Sequence, residues 1–211
     1  MRRLPVYLLI DTSGSMRGEP IQAANVGLQT MMASLRQDPH ALDSVHLSLI
    51  TFDKDVNLIF EMTELSKVQM PEIKTPESGP TFLGEALRLL IERVDMEVSQ
   101  SSEEVKGDWM PLLFIMTDGK PSDLQLFNEQ YPLLKKKNFG SIIACAAGPK
   151  AKEEYLTKFA DQVVSLDTTD ANAFQQFFKW VSASVSVGNR SIGASDDLIL
   201  PPPPPEVNLV I

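Results

Sequence analysis

The sequence has almost no cysteine, and it lacks an apolar stretch long enough to cross a membrane. Cys145 is the single cysteine among 211 residues, so an intramolecular disulfide is impossible and a reducing compartment is favoured. Cys145 lies in an apolar run, which predicts a buried thiol. The first apolar run, residues 6–10, ends at Asp11 and is too short for a secretory signal. No run approaches the roughly 20 apolar residues of a membrane-spanning helix. We therefore expect a cytoplasmic protein with no membrane partner.

Positive charge is also scarce. The chain has 19 Lys and Arg against 28 Asp and Glu, which gives a formal net charge of −9. Binding to nucleic acid depends on clustered cations that meet the phosphates. The one basic run, residues 135–137, stands where a helix is expected to end, and cations are favourable at that end of the helix dipole. The composition therefore predicts no nucleic-acid partner.

Several catalytic and nucleotide-binding motifs are missing. The sequence has no Walker A motif and no G-x-G-x-x-G segment, which disfavours nucleotide binding. It has no G-x-S-x-G motif for a nucleophilic serine. Of the two histidines, His40 is predicted in a loop and His46 in a strand, and both are interpreted as structural.

Short apolar runs alternate with amphipathic segments along the chain. The six runs are residues 6–10, 45–52, 56–60, 112–116, 142–146 and 163–166. Continuous Val, Ile and Leu runs of this length are typical of strands buried on both faces of a parallel sheet. Only residues 53–55 separate the second run from the third, which predicts an antiparallel hairpin with Asp53 and Asp55 in its turn. The expected fold is a three-layer α/β domain with a mostly parallel six-stranded sheet, one antiparallel strand and helices on both faces.

Apolar residues at helical spacing predict the helices. The main segments are residues 20–35, 83–94, 122–134 and 174–185, with a weaker one over 152–159. Ser122 followed by Gln125 is interpreted as a capping box, and Asp170 as the cap of the last helix. Regular structure is expected to end near Val187, so that residues 1–187 form the domain. Residues 188–211 would form a flexible, proline-rich tail, either a spacer or a peptide that docks in an aromatic-lined groove.

Oxygen-bearing side chains follow two of the predicted strands. Asp11, Ser13 and Ser15 form a D-x-S-x-S array directly after the first, and Asp118 follows the fourth. In open α/β sheets, ligands bind outside the carboxyl ends of the strands. Thr81 opens the cleanest amphipathic helix and offers a further hydroxyl. Carboxylate and hydroxyl oxygens are ligands that Mg²⁺ prefers. Each piece alone has a structural alternative, since the serines can hydrogen-bond within their loop and the threonine can cap its helix.

Taken together, these loops resemble the metal-ion-dependent adhesion site (MIDAS) of von Willebrand factor A (vWA) domains, over roughly residues 4–187. The resemblance implies a Rossmann-like fold and a binding module without catalytic activity. The implied metal ligands are Asp11, Ser13, Ser15, Thr81 and Asp118. The hydroxyls would bind the metal, and the carboxylates would bind directly or through water. Mg²⁺ is the expected ion, with Mn²⁺ second. A protein partner would complete the coordination with an Asp or Glu carboxylate.

Two longer segments point to a subfamily. Residues 2–16 and 106–123 resemble bacterial tellurium-resistance-associated vWA proteins. That resemblance implies a stress-response system with a Ser/Thr kinase and a PP2C-type phosphatase as further partners.

Two alternatives to a metal-dependent binding module stay open. A phosphohydrolase of the haloacid-dehalogenase type also carries an aspartate after its first strand, but such enzymes have a second one two residues later, where this chain has Ser13. A passive scaffold with a vestigial metal site is the other alternative. Because the second aspartate of such an enzyme is missing, the sequence favours a protein without catalytic activity.

Overall fold

The computed structural model describes residues 2–76, 79–102, 104–148, 151–166, 171–191, 201–205 and 207–210. The strands are β1 (Leu4–Asp11), β2 (Val45–Phe52), β3 (Val56–Glu64), β4 (Leu112–Thr117), β5 (Ser141–Ala147), β6 (Gln162–Leu166) and β7 (Asn208–Leu209). The helices are α1 (Glu19–Arg36), α2 (Pro39–Ser44), α3 (Leu83–Glu97), α4 (Leu124–Leu134), α5 (Glu153–Leu156) and α6 (Ala171–Ser191). A 3-10 helix, Gly14–Met16, follows β1.

The strands form one sheet in the order β3-β2-β1-β4-β5-β6-β7. β1 lies between β2 and β4 and is parallel to both, while β3 pairs antiparallel with β2 through the predicted hairpin. The three-layer α/β fold is therefore confirmed. The prediction of six strands with one antiparallel was incomplete, because β7 adds a second antiparallel edge beside β6. β7 has two residues, too few for an alternating pattern to indicate it.

Helices cover both faces of the sheet and enclose two apolar cores. Val6, Leu8 and Ile10 of β1 pack in the core that contains α1 and α6, whereas Tyr7 and Leu9 pack in the core that contains α3 and α4. Successive residues of a strand point to opposite faces. A strand that is covered on both faces must therefore be apolar throughout, which explains the unbroken runs in the sequence. Cys145 is fully buried, as predicted.

Two short helices differ from the predictions. His40 lies in α2 and not in a loop, and the Asp38 carboxylate accepts the His40 backbone N–H as an N-cap at 3.0 Å. A six-residue helix spans fewer than two turns, so it shows no usable periodicity. The helix predicted over residues 152–159 is shorter, since α5 ends at Leu156. Asp170, the predicted cap of α6, lies outside the described residues.

The C-terminal residues contact the domain. α6 continues to Ser191, beyond the expected end of regular structure near Val187. The Trp180 indole N–H donates to the Pro201 carbonyl at 2.7 Å, and Val207 is buried in the α1–α6 core. The flexibility expected for residues 188–211 stays a prediction, but residues 201–205 and 207–210 contact α6 and β6. Along the described residues, no helix combines the length and apolar character that a membrane crossing requires.

Candidate metal centre

The first loop is held by a buried carboxylate at the end of β1. Asp11 is fully buried, and both of its oxygens accept hydrogen bonds. One accepts the Ser13 backbone N–H at 2.7 Å and the other accepts the Thr117 hydroxyl. The loop then turns through the 3-10 helix, whose Met16 side chain is buried in the core. Asp11 therefore ties the first loop to the end of β4, the neighbouring strand.

The serines of the array reach across to the loop that follows β4. The Ser13 and Ser15 hydroxyl oxygens lie 3.2 Å apart, and the Ser15 hydroxyl donates to the Asp118 carboxylate at 2.8 Å. Ser13 is buried, Asp118 is half-buried and Ser15 is exposed. The predicted ligands of these two loops thus form one continuous hydrogen-bonded cluster with an open side at Ser15.

Thr81 joins the cluster from a third loop. A Cβ atom placed on Gly119 would lie 3.1 Å from the Thr81 hydroxyl oxygen, so this hydroxyl borders the residue next to Asp118. The N-cap of α3 is Phe82 and not Thr81, and it makes no side-chain capping bond. The alternative reading of Thr81 as the helix cap is therefore wrong. Ser78, three residues earlier in the same loop, lies outside the described residues.

The segment after Asp118 holds this third loop in place. The Ser122 hydroxyl accepts the Thr81 backbone N–H at 3.0 Å, and the Ser122 N–H donates to the Thr81 carbonyl at 2.8 Å. The Asp123 carboxylate accepts the backbone N–H groups of Gly84 and Glu85, which caps α3 from outside. The predicted capping box at Ser122 is wrong, because α4 begins at Leu124 and these side chains serve α3 instead.

The charges of the cluster favour a cation. Burial raises the pKa of Asp11 to about 6, against hydrogen bonds that lower it, and the nearby Asp118 charge raises it further. Burial also raises the pKa of Asp118. A raised pKa means that the ionised form of each carboxylate is disfavoured. A divalent cation between the two carboxylates would stabilise that ionised form. Within the described residues there is no group of three or more His, Cys, Asp or Glu side chains suited to a metal. The donor set is two carboxylates and three hydroxyls, which fits a hard cation such as Mg²⁺ or Mn²⁺.

A comparison with known protein families identifies the family of this chain. Residues 6–180 match the family described as the von Willebrand factor type A domain. The chain belongs to this family. The match covers most of the vWA fold seen here, from β1 into α6.

Solved vWA structures share the fold at low sequence identity. A von Willebrand factor type A protein from Catenulispora acidiphila aligns with a TM-score of 0.67 at 15% identity, over 88% of this chain and 43% of that one. The ArnB paralog VWA2 from Sulfolobus acidocaldarius aligns with a TM-score of 0.58 at 19% identity, over 87% and 45%. Proximal thread matrix protein 1 from the mussel byssus, with a zinc-occupied MIDAS motif, aligns with a TM-score of 0.58 at 17% identity, over 86% and 45%.

These neighbours establish the fold alone. The chain spans less than half the length of each of them. A comparison with curated protein sequences finds no significant match. vWA domains are metal-dependent modules of protein interaction. The structure gathers the five predicted ligand residues at one end of the sheet, and their binding of a metal stays a prediction.

Proposed function

We propose that this vWA domain binds one divalent cation, Mg²⁺ or Mn²⁺, and uses it to capture a protein partner through a carboxylate of that partner. The observation that carries the proposal is the chain of contacts from Ser13 through Ser15 to Asp118, which brings loops more than 100 residues apart onto one point. The parallel pairing of β1 with β4 places the two loops side by side at the same end of the sheet. The oxygen atoms that meet there support a shared cation as their ligand.

The buried and the exposed residues of the site have different proposed roles. Asp11 has both oxygens occupied, by the Ser13 backbone N–H and the Thr117 hydroxyl, so it serves as a fixed negative charge that holds the backbone of the ligand loop. Ser15 faces solvent, which leaves the approach for a partner on that side. The cation supplies a positive charge that neutral hydroxyls offset only weakly, and it therefore attracts an external carboxylate. Binding of this kind needs no general base.

A relative supports the choice of a divalent cation. The mussel byssus protein is described with zinc in its MIDAS motif. In this chain the donors are oxygens, with no His or Cys among them, and oxygen donors suit Mg²⁺ and Mn²⁺ better than Zn²⁺. We therefore propose Mg²⁺ as the ion, with Mn²⁺ as its convenient experimental substitute.

The resemblance of residues 2–16 and 106–123 to tellurium-resistance-associated vWA proteins supports a narrower proposal. We place this protein in the cytoplasm, in a bacterial stress-response system whose Ser/Thr kinase and PP2C-type phosphatase are candidate partners. Co-purification of either protein with this chain, lost on chelation, would support that placement. Recovery of both in the presence of EDTA would instead favour a passive scaffold.

We also propose that the chain has no catalytic activity of its own. Ser13 occupies the position of the second aspartate of a haloacid-dehalogenase-type enzyme, and its hydroxyl contacts Ser15. His46 contacts the Ser44 carbonyl through its ring, and His40 lies in α2, so neither serves this site. Incubation with Mg²⁺ and generic phosphate esters should give no turnover. Turnover that disappears in Asp11→Asn would show an enzyme instead.

The direct test is cation binding by the full chain. Mn²⁺ titration followed by calorimetry or electron paramagnetic resonance should show one site in the wild type. Asp11→Ala and Asp118→Ala should lose it while circular dichroism shows the fold retained. Asp55→Ala is the matched control, because Asp55 is an exposed acid on the neighbouring β2–β3 turn.

Capture from a native lysate with Mg²⁺ or with EDTA then identifies partners that need the cation. The proposal fails if Asp11→Ala binds Mn²⁺ and partner as well as the wild type does.

A further inference from the structure

Asp53, which ends the strand pairing of β2 and begins the turn toward β3, is a buried carboxylate next to the metal loops. It is 8% exposed, although its neighbours in the turn, Lys54 and Asp55, face solvent. One carboxylate oxygen accepts the Thr12 hydroxyl at 2.8 Å and the other accepts the Asp55 backbone N–H at 3.0 Å. The second bond explains an ordinary turn residue. The first does not, because it reaches a residue 41 positions away in the chain.

Thr12 is the residue between two predicted ligands, Asp11 and Ser13. Its side chain is buried and its backbone N–H donates to the Phe52 carbonyl at 2.8 Å. The hydroxyl bond to Asp53 adds a second fixed point on the same residue. Together these bonds set the direction in which the chain leaves β1, and therefore where the Ser13 hydroxyl lies.

The backbone of Asp53 reaches the other metal loop. Its carbonyl accepts the Phe82 N–H at 2.9 Å, and Phe82 directly follows the predicted ligand Thr81. Gly79, two residues before Thr81, also lies close, since a Cβ atom on it would be 3.9 Å from the Asp53 Cβ. One residue thus holds the loop of Asp11 to Ser15 through its side chain and the loop of Thr81 through its backbone.

We infer that Asp53 is a positioning residue of the metal centre, which sets the distance between the first ligand loop and Thr81 without touching the cation. The inference rests on the proposed function. Groups that orient the metal ligands through hydrogen bonds commonly change metal affinity by roughly 10- to 100-fold when they are removed. The carboxylate is suited to this place because it accepts two hydrogen bonds at once in a buried position.

Two pairs of variants separate this role from that of a turn residue. Thr12→Val removes the hydroxyl but leaves the bond from Asp55 to Asp53 intact, so the turn is preserved. Thr12→Ser restores the hydroxyl. Asp53→Ala removes both side-chain bonds, and Asp55→Ala is its exposed control on the same turn. The measured quantities are the Mn²⁺ dissociation constant at 20 °C and the melting temperature in EDTA.

We expect Thr12→Val and Asp53→Ala to raise the Mn²⁺ dissociation constant about tenfold or more. Thr12→Ser and Asp55→Ala should stay near the wild-type value. A purely structural role predicts a lower melting temperature in EDTA with an unchanged dissociation constant, and that result would overturn the inference. If Asp53→Ala does not fold, the Thr12 pair decides alone. A wild type that binds no Mn²⁺ would overturn the proposed function itself, whereas binding that is equal in wild type and Thr12→Val overturns only the role of Asp53.

Discussion

At the scale of single residues, the burial of Asp11 has a cost in stability that depends on pH. Its carboxylate is fully buried, and burial raises its pKa to about 6. The folded state therefore holds the proton more tightly than the unfolded chain, whose pKa is near 4. It follows that, without a cation, stability is lost as the pH rises from about 4 to about 6 and stays lower above that range. A bound cation would reverse this, because it favours the ionised carboxylate.

The variant Asp11→Asn tests this dependence of stability on pH. The amide keeps an oxygen for the Ser13 N–H but removes the buried charge. In EDTA at pH 8 we expect this variant to be more stable than the wild type by up to about 3 kcal/mol, the value of the pKa shift. The gain should vanish near pH 4, where Asp11 is protonated in the folded state. Urea unfolding between pH 4 and pH 8 measures it.

A matched change at an exposed acid isolates the effect of burial. Asp55→Asn removes an exposed carboxylate of the β2–β3 turn and keeps Asp11, so it is the control for a change that leaves the buried charge in place. An Asp11→Asn variant that is equally destabilised at every pH would show that the hydrogen bonds of the carboxylate outweigh its charge.

The sequence predicted the candidate ligands that follow a local pattern. It did not predict the residues whose hydrogen bonds join segments distant in sequence. Asp11, Ser13 and Ser15 were visible because alternate oxygens follow an apolar run, and Asp118 because it ends another. Asp53 and Ser122 were assigned to a turn and to a capping box. Asp53 does lie in the turn, and Ser122 does not cap α4. Each also bonds a residue 41 positions away, and such a contact exists only once the sheet has formed.

At the scale of elements, α1 and α6 approach each other through a glycine. A Cβ atom on Gly27 would lie 2.1 Å from Cδ2 of Phe178, which is buried in the same core. From the sequence, a glycine inside a helix appears only as a local cost of about 1 kcal/mol relative to alanine. The packing explains why it is there, since the ring of Phe178 occupies the space that any side chain would need.

Gly27→Ala should therefore destabilise the protein although alanine is the better helix former. Overpacking of a filled core costs about 1–3 kcal/mol, which exceeds the gain in helix propensity at this site of close contact. We expect a net loss of up to about 2 kcal/mol in the free energy of unfolding, measured with urea. The double variant with Phe178→Leu makes room and should recover part of the loss. A Gly27→Ala protein at least as stable as the wild type would mean that Phe178 moves aside at no cost.

The length of an element decided whether its pattern could be read. β2 was predicted with its observed bounds, because eight largely apolar residues stand between Ser44 and Asp53. α2 and β7 were missed, since six and two residues carry no complete period of apolar residues.

At the scale of the whole molecule, the two edges of the sheet are formed by different parts of the chain. β3 forms one edge, and the C-terminal segment covers the other by adding β7 to β6. The Val210 N–H donates to the Val163 carbonyl at 2.7 Å, which satisfies part of an edge that would otherwise offer unpaired backbone groups. The C-terminal segment thus protects a strand that lies far from it in sequence.

Removal of residues 201–211 should expose that edge together with the indole of Trp180. The chain loses the hydrogen bond from Trp180 to Pro201, the burial of Val207 and the pairing with β6. One hydrogen bond at about 1 kcal/mol and one buried valine at about 1.5–2 kcal/mol give an expected loss of about 3 kcal/mol in urea unfolding. Trp180→Phe in the full chain keeps an aromatic ring but removes the indole donor and part of the buried ring system, so it should lose at least about 1 kcal/mol. Light scattering should show self-association of the truncated chain, since an uncovered edge strand pairs readily with a second copy. A truncated chain that stays monomeric and unfolds at the wild-type urea concentration would show that residues 201–211 are only a spacer.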